Sequence, residues 1–196
     1  MPEAAEVLGR RNPNRDSRQE ALRPALADLG TGLVLEIGCG HGHFLTAYGQ
    51  AHPDRRCVGV DINQERVERA ERKRARAGLP NVRFVRADIE DFLAALPPGS
   101  RFAAVFLLFP DPWPKRRHHK NRLMQISFLD SLAEHCLPQA RLYFRSDHAG
   151  YCRDAARALA GCARWSIVDE PWPFEFATIF QARASHHQSL IAQRER

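Results

Sequence analysis

The chain has 196 residues, 44% of them hydrophobic and 27% charged, with a formal net charge of +6. That length suits one domain around one core, and no apolar run is long enough to cross a membrane. The basic balance favours anionic partners, although clustering says more than the total.

Five cysteines, Cys39, Cys57, Cys136, Cys152 and Cys162, include no CxxC pair. Reduced thiols are expected, with no disulfide framework and no metal site.

Residues 1–18 are polar and rich in Arg, Asn and Pro, and read as a flexible basic arm ahead of a single domain over 19–196. The arm has no apolar stretch after its charges, so it does not read as a secretory signal, and a cytoplasmic protein is expected.

Gln19–Leu29 is predicted as a helix, with Leu22, Leu26 and Leu29 on one face. Strand and helix patterns then alternate. Leu33–Ile37 is a predicted strand, followed by a Gly-rich turn and a helix to about Gln50. Cys57–Val60 is a strand ending at Asp61, and Gln64–Ala77 a helix stopped by Gly78 and Pro80. Val82–Arg86 is a third strand ending near Asp88. Phe102–Phe109 is a fourth, apolar enough to be buried on both faces. A loop rich in Pro and Arg, Pro110–Asn121, precedes a helix predicted over Arg122–Leu137. Arg141–Ser146 is a strand ending at Asp147, and Tyr151–Ala160 a helix. Trp165–Val168 and Thr178–Ala184 are two last strands before a polar tail. This alternation implies a mostly parallel sheet covered on both faces, with ligands at the carboxyl ends of its strands. Asp61, Asp88, Asp111 and Asp147 all fall just past predicted strand ends, which puts four carboxylates on one edge.

The first turn reads Glu36-Ile37-Gly38-Cys39-Gly40-His41-Gly42. Glycines at alternate positions let the backbone turn sharply and approach a ligand. The spacing is not the GxGxxG of dehydrogenases, and no GK[ST] follows to make a phosphate-cradling loop. Asp61 lies 21 residues after Gly40. It can accept the ribose hydroxyls of an adenosine or cap the helix beyond it. Asp88 can take the exocyclic amine of adenine or cap a helix over Asp91–Leu96. Ile62 and Ile89 follow the two acids and are placed to sandwich the ring.

LEIGCGHGHF, VGVDI and RADIED together resemble the first three motifs of the Rossmann-like S-adenosylmethionine methyltransferases. The resemblance runs from about Leu33 to Arg145 and beyond. It implies a Rossmann-like methyltransferase fold: a mostly parallel seven-stranded sheet, helices on both faces, and an antiparallel last strand at Thr178–Ala184. It implies S-adenosylmethionine as cofactor, held by Glu36, Gly38, Cys39, Gly40, Asp61, Ile62, Asp88 and Ile89.

The loop after the fourth strand reads Phe109-Pro110-Asp111-Pro112-Trp113-Pro114-Lys115-Arg116-Arg117-His118-His119-Lys120-Asn121-Arg122. Its first part is stiffened by prolines and its second is dense in cations. A rigid aromatic beside positive charge suits a nucleotide, the ring stacking and the cations meeting phosphates. Trp113 can equally anchor the loop to the core, and the cations can be a solvated surface.

This segment is similar to the FPDPW-x-K-x-R-H-x-K signature of the bacterial tRNA (guanine-N7)-methyltransferases, and FRSDHAGY resembles that family's strand ending in a Ser-Asp pair. The resemblance implies a tRNA substrate. It places Asp111 and Asp147 at the reaction site and Lys115, Arg116, Arg117, His118, Lys120 and Arg122 on the RNA, with Thr178 and Gln181 near the substrate. The family's closing Thr-x-x-Glu here reads Thr178-Ile179-Phe180-Gln181, so an amide replaces the carboxylate.

Guanine N7 carries a lone pair and no proton, so its methylation needs no strong general base, and no cysteine stands in a nucleophile context. A monomer or homodimer is expected. The alternatives are a methyltransferase of the same fold acting on a small molecule or protein, recognised by turnover without RNA, and a non-catalytic RNA-binding relative, recognised by loss of cofactor binding.

Overall fold

A computed structural model describes residues 13–176 and 186–196. Its sheet has seven strands in the order β3-β2-β1-β4-β5-β7-β6. They are β1 (Thr31–Ile37), β2 (Cys57–Asp61), β3 (Val82–Arg86), β4 (Arg101–Leu108), β5 (Cys136–Ser146), β6 (Trp165–Ile167) and β7 (Gln188–Arg194). The first five run parallel, and β7 pairs antiparallel with both β5 and β6. The helices are α1 (Pro13–Leu26), α2 (His43–Ala51), α3 (Gln64–Arg76), α4 (Ile89–Ala95), α5 (Ile126–Glu134) and α6 (Ala149–Gly161).

Alternate strand residues point to opposite faces, and the core divides accordingly. Leu33, Leu35, Val105 and Leu107 face α1, α4, α5 and α6, packing with Phe92, Leu129 and Tyr151. Val34 and Phe106 face α2 and α3, packing with Phe44, Tyr48 and Val67. That second face is extended by Trp172 and Phe174, whose chain is held by the buried Arg145. Its guanidinium lies 3.9 Å over the Trp172 ring and pairs with Glu175 at 3.0 Å.

Several boundaries differ from the sequence reading. Residues 13–18 are no arm: they open α1, because Arg15 and Arg18 reach the buried Asp91 of α4 at 2.9 and 2.7 Å. The helix predicted over Arg122–Leu137 covers Ile126–Glu134 only. Its start is delayed because Arg122 is extended and buried, and its end is cut because Cys136 already pairs with Phe102. The antiparallel strand is Gln188–Arg194, in what reads as a polar tail. Four of its seven residues are polar, and only Ile191 and Ala192 are buried. The Thr178–Ala184 strand, with Thr178 and Gln181, lies outside the described residues.

Candidate active site

The strand order reverses between β1 and β4, and the crevice of such a sheet opens at the carboxyl ends there. The glycine turn leaves β1 at this point. Gly38 and Gly40 have φ of 70° and 52°, a region that penalises any Cβ. A Cβ at either would meet nothing within 4 Å, so both backbones face open space. Gly42, by contrast, is pressed against the core: its Cβ would stand 2.6 Å from Phe84. The amides of Gly38 and Cys39 donate to the Val60 carbonyl at 2.8 and 3.1 Å, and Lys73 donates to the His41 carbonyl at 2.8 Å. The Cys39 side chain packs behind the turn in the core, and burial pushes its thiol pKa up.

Asp61 is buried and fixed. It accepts from the Gly40 amide at 2.9 Å and the Asn63 amide at 2.8 Å, joining the end of β2 to the turn. It does not cap α3, since Asn63 does, accepting from Arg66. Glu36 is buried beneath the turn and accepts from the Leu45 amide in the first turn of α2. Its other oxygen, Oε2, has no partner among the described residues. Burial pushes its pKa up to about 8, with the charge of Asp61 adding and Lys73 opposing.

Beyond Asp61 a cleft of about 820 Å³ is lined by Ile62, Arg86, Ala87, Asp88 and, across from them, Arg15, Arg18 and Leu22 of α1. Ile62 is 69% exposed beside it, an apolar side chain without core packing. Asp88 lines the cleft while capping α4, accepting from the Glu90 amide at 2.9 Å. Ile89 departs from expectation. It is the first residue of α4 and is buried in the core beside Phe92, so the sandwich partner for a ring opposite Ile62 is not its side chain. The contribution of α1 to the cleft, with its Asp91 tether, was not anticipated. The only sequence trace is the spacing of Arg15 and Arg18 on one helix face.

The second half of the edge is built differently. Leu108 of β4 pairs with Arg145 of β5, and the Phe109 amide donates to the Arg145 carbonyl at 2.8 Å. This register brings the segments carrying Asp111 and Asp147 out side by side, and both residues are exposed. Phe109 and Trp113 have φ of 49° and 43°. Left-handed backbone at a bulky residue costs about 1–3 kcal/mol and concentrates at functional sites. Trp113 is 36% exposed, its ring edge-on to His118. Lys115, Arg116, Arg117 and Lys120 are exposed along a 3-10 turn over Arg116–Asn121.

Arg122 does not join them. It is 4% exposed, donates to the Pro112 carbonyl at 2.8 Å and pairs with Asp154 of α6, which removes it from the surface cations.

Among the described residues no cluster of His, Cys, Asp and Glu could hold a metal ion, and no helix is long and apolar enough to cross a membrane. Chemically, the edge offers an open glycine backbone with buried acids on one side, and a stiff cationic loop between exposed carboxylates on the other.

Residues 31–189 match the model of a family described as "Putative methyltransferase". A tRNA (guanine-N(7)-)-methyltransferase of Halorhodospira halophila is 36% identical over 72% of this chain and 61% of its own length. Those of Nocardia farcinica and Syntrophotalea carbinolica are 35% and 40% identical, over 72% and 61% of this chain and 54% and 51% of theirs. The chain thus spans about half to three-fifths of the length of these curated relatives. Among solved structures, TrmN from Thermus thermophilus superposes with a TM-score of 0.61 at 15% identity, covering 90% of this chain and 48% of that one. A 16S rRNA (adenine(1408)-N(1))-methyltransferase does so at 0.61 and 18%, covering 99% and 96%. These two show the fold. The family match covers most of the chain and the curated relatives share one name: the chain belongs to this methyltransferase family and, within it, to the group of the bacterial tRNA (guanine-N7)-methyltransferases.

Proposed function

We propose that the protein is an S-adenosylmethionine-dependent methyltransferase acting on N7 of a guanine in tRNA. The observation that carries the reading is the single edge on which the open glycine turn adjoins a stiff, cationic Pro-Trp loop flanked by Asp111 and Asp147. The family, and the shared name of the curated relatives, support it. We place the protein in the cytoplasm, as a monomer or homodimer.

The residues fit the cofactor. Gly38 and Gly40 leave their backbone open, and Glu36 holds a buried oxygen without a partner among the described residues. S-adenosylmethionine supplies an electrophilic sulfonium methyl group. Asp61, already fixed by two amides, retains lone pairs for the ribose hydroxyls. Ile62 and Asp88 line the cleft for the adenine. Glu36 meets the ammonium of the methionine part, whose positive charge favours the ionised carboxylate.

On the acceptor side, guanine N7 needs placement rather than deprotonation. Asp111 and Asp147 accept from guanine N1–H and its exocyclic amine and balance the positive charge that grows on the purine. Such a pocket discriminates against adenine, which lacks those donors. Lys115, Arg116, Arg117, His118 and Lys120 meet phosphates and sugars, and Trp113 packs on a base. The family resemblance assigns Thr178 and Gln181 to the substrate as well.

The test is incubation with radiolabelled cofactor and unmodified bulk tRNA, followed by nucleoside analysis. Label in 7-methylguanosine is expected. Label in another nucleoside, or turnover without RNA, overturns the reading.

A further inference from the structure

Arg122 is the buried centre of an arrangement that the acceptor loop shares with the half-buried Asp154 of α6. Its Nε donates to the Pro112 carbonyl at 2.8 Å, inside the segment carrying Asp111 and Trp113. Its Nη1 pairs with Asp154, and its guanidinium lies 5.0 Å over the Tyr151 ring. The Tyr151 hydroxyl in turn accepts from the amides of Leu123 and Met124, at 3.0 and 3.3 Å. Tyr151 and Asp154 are three residues apart on α6 and so lie on one face. Two further side chains lean on Asp154: the His119 imidazole, with Nδ1 at 3.7 Å, and Arg157, with Nη1 at 3.9 Å.

The same helix starts at Ala149, directly after Asp147 and its cap His148. One end of α6 therefore carries one carboxylate of the site, and its next turn grips the loop that carries the other. Burial pushes the Tyr151 hydroxyl pKa up, and Asp111 stands close enough to add to that push.

A buried arginine is costly unless its partners hold it. The arrangement must therefore do something that an apolar contact would not. An apolar contact would cover the face of α6 equally well. It would not grip a carbonyl in the middle of a strained loop, where Trp113 has a φ of 43°.

We propose that Tyr151, Arg122 and Asp154 are positioning residues: through Pro112 they lock the acceptor loop to α6 and so set Asp111 against Asp147. The inference rests on the proposed methyl transfer, and predicts a change in rate with binding preserved. Placement errors on the order of 1 Å can slow an oriented reaction by about 100-fold.

The variants are Asp154→Ala, Asp154→Glu and Tyr151→Phe. The readouts are single-turnover methylation of unmodified tRNA, calorimetric affinity for S-adenosylmethionine, the salt slope of tRNA binding, and backbone hydrogen exchange over residues 110–125. Asp154→Ala should slow transfer about 10- to 100-fold while both affinities stay within about twofold, well under the tenfold that 1.4 kcal/mol represents. Exchange in the loop should rise, Tyr151→Phe should show a smaller effect of the same kind, and Asp154→Glu should recover most of the rate.

Unchanged rate and exchange in both Asp154→Ala and Tyr151→Phe overturns the proposal. So does a parallel loss of cofactor affinity, which would make Asp154 a general stabiliser, or a reduced salt slope, which would return Arg122 to the RNA face. If wild-type protein forms no 7-methylguanosine, the proposed function fails, and the exchange measurement still decides whether Asp154 locks the loop.

Discussion

The two halves of the sheet edge hold their acids in opposite ways. On the β1–β3 side Glu36 and Asp61 are buried, and the turn between them is fastened through backbone amides. On the β4–β5 side Asp111 and Asp147 are exposed, and the loop between the strands is fastened from outside by one buried arginine. The first half is fixed by the fold itself, as expected for a site shared by every member of a fold class. The second is an addition to that fold and, on the proposed function, carries the acceptor chemistry. A substitution in the first half should therefore disturb folding and cofactor together, and one in the second should disturb reaction alone.

The sharpest test uses two glycines of the same turn. At Gly42 a Cβ would overlap Phe84 at 2.6 Å and Ala70 at 2.7 Å, and φ is 67°. Overpacking costs about 1–3 kcal/mol and the left-handed backbone about 1–2 more, so Gly42→Ala should lower stability by about 2–5 kcal/mol. Gly40→Ala carries only the backbone cost, because its Cβ meets open space. It should lose cofactor affinity out of proportion to stability. Urea unfolding beside calorimetry separates the two; unaltered cofactor affinity in Gly40→Ala would show that the open face of Gly40 is no ligand surface.

Across the edge, Asp147→Asn keeps size and one acceptor but removes charge. Methyl transfer should slow about 100-fold, the usual cost of one electrostatic contact at a reacting centre, with cofactor affinity unaltered. The wild-type rate should show no tenfold climb per pH unit between about pH 6 and 9, since N7 has no proton to lose. Such a climb, abolished in Asp147→Asn, would mean that a base removes a proton and that the acceptor is not N7.

Glu36 gives the buried half a pH signature. Burial pushes its carboxyl pKa from the ordinary 4.5 up to about 8 in the folded protein. Between these values the folded state holds a proton that the unfolded chain has released. This contribution to stability is fully present below about 4.5 and is lost as pH rises towards about 8, at no more than ~1.4 kcal/mol per pH unit. Unfolding midpoints of the ligand-free protein should therefore fall across that window, and Glu36→Gln should flatten the fall. An identical slope in the variant would show that Glu36 is ionised in the folded protein.

The same contrast explains what was legible in the sequence. The boundaries of β2 are read within a residue because a strand buried on both faces is an apolar run, here closed by Asp61; β3 and the start of α3 also fall where predicted, although the cap of α3 is Asn63 and not Asp61. The glycine turn and its acids were legible for the same reason: fixed geometry demands fixed residue types. β7 was not, because only Ile191 and Ala192 are fully buried in it. Arg122 was misplaced because a cation in a run of cations carries no mark of burial. What buries it is Asp154, 32 residues on, and Tyr151 beside it, a tertiary pairing that no local pattern announces.

The finest test counts cations. Lys115, Arg116, Arg117 and Lys120 are exposed, whereas Arg122 is spent on Pro112 and Asp154. Each phosphate contact contributes about 1 to the slope of log affinity against log salt. Replacing Arg117 and Lys120 together by alanine should therefore lower that slope by about 2, with little effect on cofactor affinity. Asp61→Asn, in the other half, should leave the slope untouched and weaken the cofactor. The contribution of Arg122 sharpens the count. An exposed-surface reading predicts a loss of about 1 for Arg122→Gln, and the buried arrangement predicts none, because a guanidinium already neutralised by Asp154 releases no counterion from RNA. Titrations of tRNA over a tenfold range of salt distinguish the two. If the Arg117 and Lys120 double variant keeps the wild-type slope, the loop is not the RNA face. The tRNA would then have to be held elsewhere, and the division of the edge into a fold-fixed cofactor half and an added acceptor half would be wrong.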